Sequence, residues 1–189
     1  MIIALIGASS SGKSLIEYEL STHHGFEKII SYTTRPKRDY EIDGKDYYFT
    51  NNETFNDMVA TDLFAEYEEY SQGRLYGTLK ADYVNDNKVV VLTPNGFRQL
   101  KRNCEGKNIF TVFVEANLGT RVKRYIDRCG VDKFNFDDKN EIAARVERDF
   151  GMCLGLDKEV DLVIHNNEGT EISDLVKEIL EAIEMKGGM

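Results

Sequence analysis

Eight consecutive residues, Gly7-Ala8-Ser9-Ser10-Ser11-Gly12-Lys13-Ser14, have the spacing G-x-x-x-x-G-K-[ST]. A loop of this kind turns successive backbone N–H groups toward an anion, and its glycines permit the curl. Lys13 would then reach the β- and γ-phosphates of a nucleoside triphosphate, and the Ser14 hydroxyl would ligate Mg²⁺. With glycine near 7% of residues, the four fixed positions match by accident in about one chain of this length in a hundred or fewer. The plainer alternative is a flexible Ser/Gly turn. Its surroundings weigh against that reading: the apolar run Ile2–Ile6 leads in, and Leu15-Ile16-Glu17-Tyr18-Glu19-Leu20, apolar at helical spacing, leads out. A helix beginning near Gly12 adds its positive end to the same anion site.

The arginines are the second group able to do chemistry. Seven of the ten fall in two short regions, Arg35 and Arg38 in one and Arg121, Arg124, Arg128, Arg145 and Arg148 in the other. The chain as a whole carries a net charge of −9, which argues against a nucleic-acid or membrane surface, since both want a basic face. Local cationic clusters in an acidic chain suit small, multiply charged ligands that need a few forked donors. For Arg121 and Arg148 a solvated helix face is the competing reading.

The elements that must position these groups follow from periodicity. Strand-like runs at Ile2–Ile6, Lys28–Ser31, Val89–Leu92, Ile109–Val114 and Val160–Ile164 alternate with helical patterns, the signature of an α/β doubly wound fold with a five-stranded parallel sheet. Thr93-Pro94 predicts an N-cap and a first-turn proline, with a helix running to about Arg102. Leu175, Ile179, Leu180 and Ile183 predict a C-terminal amphipathic helix ending at Gly187. A length of 189 residues and 41% hydrophobic content suit one domain with a sizeable core. Cys104, Cys129 and Cys153 are odd in number and scattered, so neither a disulfide framework nor a zinc site is expected, in keeping with a reducing cytoplasm. The first apolar run is too short for a signal peptide or a membrane span.

Two stretches break the rhythm. From about Thr33 to Thr78 the chain is rich in aromatics, with a short helix offered by the capping-box spacing of Thr50-Asn51-Asn52-Glu53; this predicts an inserted, mostly β lobe. From Cys129 to Lys139 it is polar, with Asp132, Asp137 and Asp138, and reads as a mobile loop between two arginine-bearing helices.

Ser31-Tyr32-Thr33-Thr34-Arg35-Pro36-Lys37-Arg38, then Gly44-Lys45-Asp46-Tyr47-Tyr48-Phe49, Phe64-Ala65-Glu66-Tyr67 and Tyr76-Gly77-Thr78 follow in an order and spacing that resemble guanylate kinase over nearly the whole chain. The resemblance implies a P-loop three-layer fold: a core of residues 1–32, 79–121 and 147–189, an NMP-binding lobe at 33–78 and a short lid at 122–146. It implies ATP with Mg²⁺ as donor, held by Gly7, Ser9, Ser10, Ser11, Gly12, Lys13 and Ser14, with Asn166 near the adenine and Ser14 on the metal. Arg35, Arg38, Tyr47 and Tyr76 match the clamp on the acceptor's monophosphate, where guanidinium forks and phenolic donors suit a dianion. Ser31, Glu66 and Thr78 match the guanine-reading positions, a carboxylate suiting the N1–H and 2-amino donors that adenine lacks. Arg124, Arg128 and Arg145 match the lid arginines that, with Lys13, neutralise the transferring group. Tyr40, Tyr48 and Tyr70 read as ordinary aromatic core, and His165 as structural.

The implied reaction is transfer of the ATP γ-phosphoryl group to GMP or dGMP. The rivals are another nucleoside monophosphate as acceptor, or a catalytically silent interaction module, against which the intact Gly7–Ser14 loop weighs. The expected partners are small nucleotides, with the chain a monomer or homodimer. Two features depart from the family pattern. The third strand runs into Val90-Val91-Leu92-Thr93-Pro94-Asn95-Gly96 without the usual carboxylates, which predicts a weaker hold on Mg²⁺ unless Asp39, Glu41 or a lid residue substitutes. The stretch from Arg128 to Arg145 is also longer than usual.

Overall fold

The structure is a computed structural model that describes residues 1–71, 73–130 and 136–187. Its main sheet has five parallel strands in the order β2-β7-β1-β8-β9: β1 (Ile2–Ile6), β2 (Glu27–Lys28), β7 (Lys88–Leu92), β8 (Ile109–Glu115) and β9 (Leu162–His165). These are the five runs that periodicity picks out, with ends moved by one or two residues, except in β2, which ends three residues earlier than expected. The second is the shortest, because only Glu27 and Lys28 pair with β7 before the chain turns away.

Alternation in β1 decides which layer each residue serves. Ile2, Ala4 and Ile6 pack with Val90, Leu92, Phe97 and Leu100 on one face. Ile3 and Leu5 pack with Ile16, Leu20, Val112, Val176 and Ile179 on the other. Burial on both sides makes the strand continuously apolar, since each fully buried Leu or Ile is worth about 1.5–3 kcal/mol. The first face is covered by α3 (Pro94–Asn103), the second by α1 (Lys13–His23) and α6 (Ile172–Gly187). Thr93 caps α3 by accepting the Gly96 N–H at 3.0 Å, as Thr93-Pro94 predicts.

A second, four-stranded sheet has the order β4-β3-β6-β5, from β3 (Tyr32–Thr33), β4 (Tyr48–Phe49), β5 (Phe64–Ser71) and β6 (Arg74–Leu79). Helix α2 (Asn52–Ala60) precedes β5. Its cap sits one residue later than the Thr50–Glu53 spacing suggests: the Asn51 side chain accepts the Thr54 N–H at 2.8 Å, the stronger capping residue having taken the position. Edge strand β5 lies against α3, whose amides at every fourth residue meet its backbone. Asn103 donates to the Ala65 carbonyl at 2.8 Å, and Gln99 to that of Tyr67, also at 2.8 Å.

The segment read as a loop between arginine-bearing helices is largely helical where it is described. Helix α4 (Leu118–Cys129) runs up to Gly130, and α5 (Phe136–Cys153) already includes Lys139. Asp132 lies outside the described residues, and the side chains of Asp137 and Asp138 are not described.

Candidate active site

The phosphate loop joins the C-terminal end of β1 to α1, at the point where neighbours β7 and β8 lie on opposite sides, the crevice where open α/β sheets bind ligands. Gly12 takes φ +98°, and a Cβ there would stand 2.0 Å from Asn166 Nδ2, so only glycine fits. No side chain caps α1 and its first turn holds no acidic residue, which leaves its positive end open to the loop.

The Lys13 side chain is half-buried rather than free in solvent. Its ammonium folds back to donate to the carbonyls of Gly7 (2.8 Å) and Ala8 (2.7 Å). Burial lowers its pKa from 10.5 to about 8, with Asp149 pulling the other way. Ser14 is exposed at the start of α1, its hydroxyl a hard oxygen donor of the kind Mg²⁺ prefers. Among the described residues no group of three or more His, Cys, Asp or Glu side chains is arranged to hold a metal. The oxygen donors available suit an ion that arrives already ligated by phosphates and water.

One cleft is lined by Gly7, Ser9, Ser10 and Lys13 from the loop and by Ser31, Arg35, Arg38, Tyr47, Glu66 and Tyr76 from the segment containing the second sheet. Arg128 and Arg145 line it as well. Residues separated by more than a hundred positions therefore surround one volume. Ser11 is fully buried behind the loop, and Thr78 is fully buried beneath Glu66.

Glu66 is 6% exposed, although flanked in sequence by Glu68 and Glu69, so it does not sit on a solvated acidic strand face. Its Oε1 accepts the Thr78 hydroxyl at 2.7 Å, and Thr78 also shares a 2.8 Å hydrogen bond with Tyr83. A Cβ on Gly96 would stand 2.6 Å from Glu66 Oε2, so α3 leaves room for the carboxylate only because residue 96 is glycine. Burial raises the Glu66 pKa to about 7, the bond from Thr78 opposing the shift. Burial likewise holds the Tyr47 phenol protonated, its pKa pushed up to about 12.

The Arg35 guanidinium arrives partly spent. Nη1 and Nη2 donate to the two carboxylate oxygens of Glu41 at 3.0 and 2.7 Å, and Nη1 also to the Pro36 carbonyl. Three of its five N–H donors are thus engaged before any ligand arrives. Glu41 is in turn committed to Arg35 and to the Arg38 N–H at 2.8 Å, and so is not free for a metal. Arg38 is more open and donates to the Tyr40 hydroxyl at 3.1 Å.

Arg124 and Asn166 stand apart from the other expected ligands. Asn166, fully buried, donates to the Ser11 carbonyl at 2.9 Å and accepts from Arg124 Nη2 at 3.0 Å. The pair braces the back of the loop, whereas Arg128 and Arg145 face the cleft.

Several residues in the site have roles that sequence reasoning missed. Arg121 and Arg148 are not on a solvated face: they flank Asp149, at 3.4 Å each, and Asp149 accepts the Ser9 backbone N–H at 2.8 Å. Tyr70 is not core. Its hydroxyl is bonded to the Ser9 hydroxyl, and the Arg148 guanidinium lies 3.8 Å from its ring centre. Tyr40 and Tyr48 are exposed rather than core, Tyr48 stacking on Tyr32. Glu68 also lines the cleft and accepts the Thr93 hydroxyl. The period-2 spacing of Glu66, Glu68 and Tyr70 was the available signal, placing all three on one strand face.

Residues 1–183 match the family model described as guanylate kinase. A guanylate kinase of Streptococcus thermophilus strain CNRZ 1066 is 30% identical over 190 residues, covering 96% of this chain and 86% of the relative. One of Streptococcus pyogenes serotype M3 strain MGAS315 is 30% identical over 189 residues, covering 96% and 85%. A crystal structure of guanylate kinase from Anaplasma phagocytophilum superposes with a TM-score of 0.68 at 20% identity, covering 98% of this chain and 85% of that one. That superposition bears on the fold.

Proposed function

The chain belongs to the guanylate kinase family, and from that premise we infer that it transfers the γ-phosphoryl group of ATP to GMP or dGMP, releasing ADP and GDP or dGDP. The observation that carries this reading is the single cleft lined both by the phosphate loop and by Glu66, Arg35, Tyr47 and Tyr76. Phosphoryl transfer asks little covalent chemistry of a protein, so two nucleotide sites facing one volume supply most of what is needed.

In this reading Gly7 to Ser14 cradle the triphosphate, and Lys13 exchanges the Gly7 and Ala8 carbonyls for phosphate oxygens. Arg35, Arg38, Tyr47 and Tyr76 hold the acceptor's phosphate so that one of its oxygens attacks the γ-phosphorus as the bond to the β-phosphate oxygen breaks. Arg128 and Arg145 neutralise charge spreading onto the transferring group. Arg124 and Asn166 act one step back, by fixing the Ser11 carbonyl. Ser31, Glu66 and Thr78 read the guanine, Glu66 as the acceptor for N1–H and the 2-amino group. Ser14 would hold Mg²⁺, which when bound draws charge off the β- and γ-phosphates.

Residues 33–78 serve as the acceptor lobe and 122–146 as the lid, closing on double occupancy to exclude water. Three cysteines without a disulfide and a net charge of −9 fit a cytoplasmic enzyme acting on small nucleotides. Among the described residues no helix is long and apolar enough to cross a membrane.

The test is ADP release with ATP and Mg²⁺ across a panel of ribo- and deoxyribonucleoside monophosphates. Turnover should be confined to GMP and dGMP. Preference for another base would overturn the role of Glu66, and no turnover with any acceptor would leave an interaction module.

A further inference from the structure

In P-loop enzymes the loop hydroxyl that meets Mg²⁺ is usually joined by a carboxylate from a strand beside the loop. Two strands flank β1. β8 ends in Glu115, whose carboxylate pairs with His165 at 3.0 Å, and neither residue lines the cleft. β7 ends at Leu92 and runs into Thr93, neither of which brings a charge.

Glu68 brings one. Its Oε2 accepts the Thr93 hydroxyl and its Oε1 accepts the Asn95 amide at 3.1 Å, so the carboxylate of a β5 residue is fixed at the end of β7. It lines the same cleft as Ser9, Ser10 and Lys13. Among the described residues, the other carboxylates at or beside the cleft are committed elsewhere: Glu41 to Arg35, Asp149 to Ser9, Arg121 and Arg148, Glu66 to Thr78 beneath the base site. Among the described residues no ion pair cancels the charge on Glu68, and its two donors are neutral. Thr93 spends its hydroxyl proton on Glu68 and accepts the Gly96 N–H, so what it offers the cleft is the carboxylate it holds.

We propose that Glu68 is the positioning carboxylate for the metal-bound triphosphate, supplied across the cleft by β5 in place of an acidic residue at the end of β7. The inference rests on the kinase reading above for its ligand but not for its readout. It has a physical consequence. Glu68 and Glu66 lie two residues apart on one strand, and Gln99 and Asn103 tie that strand to α3. The group that reads the base and the group that orders the metal therefore move as one rigid piece.

Three variants test this: Glu68→Gln, Glu68→Ala, and Glu68→Ala combined with Thr93→Asp, where aspartate also keeps the helix cap. The readout that needs no turnover is Mn²⁺ affinity of the protein bound to a non-hydrolysable ATP analogue, followed by electron paramagnetic resonance of free Mn²⁺. Glu68→Gln, which still accepts one hydrogen bond and keeps the shape, should weaken Mn²⁺ binding threefold or more. It should raise the free Mg²⁺ needed for half-maximal turnover by the same factor, with KM for GMP moving less. The double variant should bind Mn²⁺ more tightly than Glu68→Ala by threefold or more. A change under threefold in Glu68→Gln, or no recovery in the double variant, overturns the proposal. Absence of turnover in the unmodified protein would instead count against the kinase reading, leaving the Mn²⁺ measurement to decide this one.

Discussion

The carboxylate of Asp149, on α5, accepts the backbone N–H of Ser9 in the phosphate loop at 2.8 Å. A negative group thus occupies one of the loop's anion-directed donors before any nucleotide arrives, and holds the Arg121 and Arg148 guanidiniums beside it. Asn at 149 can still accept from Ser9 but no longer neutralises the two arginines, of which Arg148 keeps its 2.8 Å bond to the Tyr70 carbonyl. Asp149→Asn should therefore tighten ATP binding by roughly threefold to tenfold, with a steeper loss of affinity as salt is raised. Calorimetric titration at two ionic strengths checks it; weaker binding would show that Asp149 shapes the loop more than it competes with the ligand.

Lys13 has its pKa lowered by burial to about 8. Between pH 8 and 10.5 the unfolded chain holds a proton that the folded protein has lost, so this group's contribution to stability rises with pH across that window. Phosphates entering the loop favour the charged form, so ATP binding near pH 8.5 should take up a proton at Lys13. Titrations in buffers of different ionisation heat measure that uptake directly. Lys13→Ala should abolish the uptake and cost at least ~10²-fold in turnover. Because Lys13 also ties the Gly7 and Ala8 carbonyls, the variant should lose protection of the loop amides to hydrogen exchange.

Glu66 shows the opposite sign. Its pKa is raised by burial from 4.5 to about 7, so between these values the folded protein holds a proton that the unfolded chain has lost. The associated stability is present in full below pH 4.5 and fades as pH rises through 7, about 3 kcal/mol in all. In the proposed reading guanine is held by the ionised form, so GMP affinity should rise over the same interval. Glu66→Gln should flatten that pH profile and relax base discrimination. The phosphate's own ionisation is common to both proteins, so the difference between their profiles isolates Glu66.

Arg35 is 7% exposed and rests on Glu41, itself 6% exposed. Removing the charge of one partner leaves the other buried and uncompensated, so Glu41→Gln should cost on the order of 3 kcal/mol of stability. A bound monophosphate can take over as counter-ion, and GMP should then raise the melting temperature more in the variant than in the parent protein. Equal shifts in the two would place the phosphate away from Arg35.

The local sequence determined the phosphate loop, the five strand runs of the main sheet, the cap of α3 and the C-terminal helix. Each is written in neighbouring residues, through glycine's access to positive φ, the two periodicities and the proline at a first turn. Matches spaced along the chain also carried Arg35, Tyr47, Glu66 and Tyr76 into one candidate site. What the sequence could not give is which groups neutralise one another there. Glu68 meets Thr93 across 25 positions, Tyr70 meets Ser9 across 61 and Asp149 meets Ser9 across 140. Tyr70 reads as a core aromatic and Glu68 draws no reading at all, because nothing adjacent in the chain says otherwise. Arg35 and Glu41 are only six positions apart, yet their pairing also depended on the fold, since burial is what makes the pair obligatory. Low dielectric and the cost of an unpaired buried charge act only once the second sheet, the phosphate loop and α5 stand around one cleft, and that arrangement belongs to the tertiary structure.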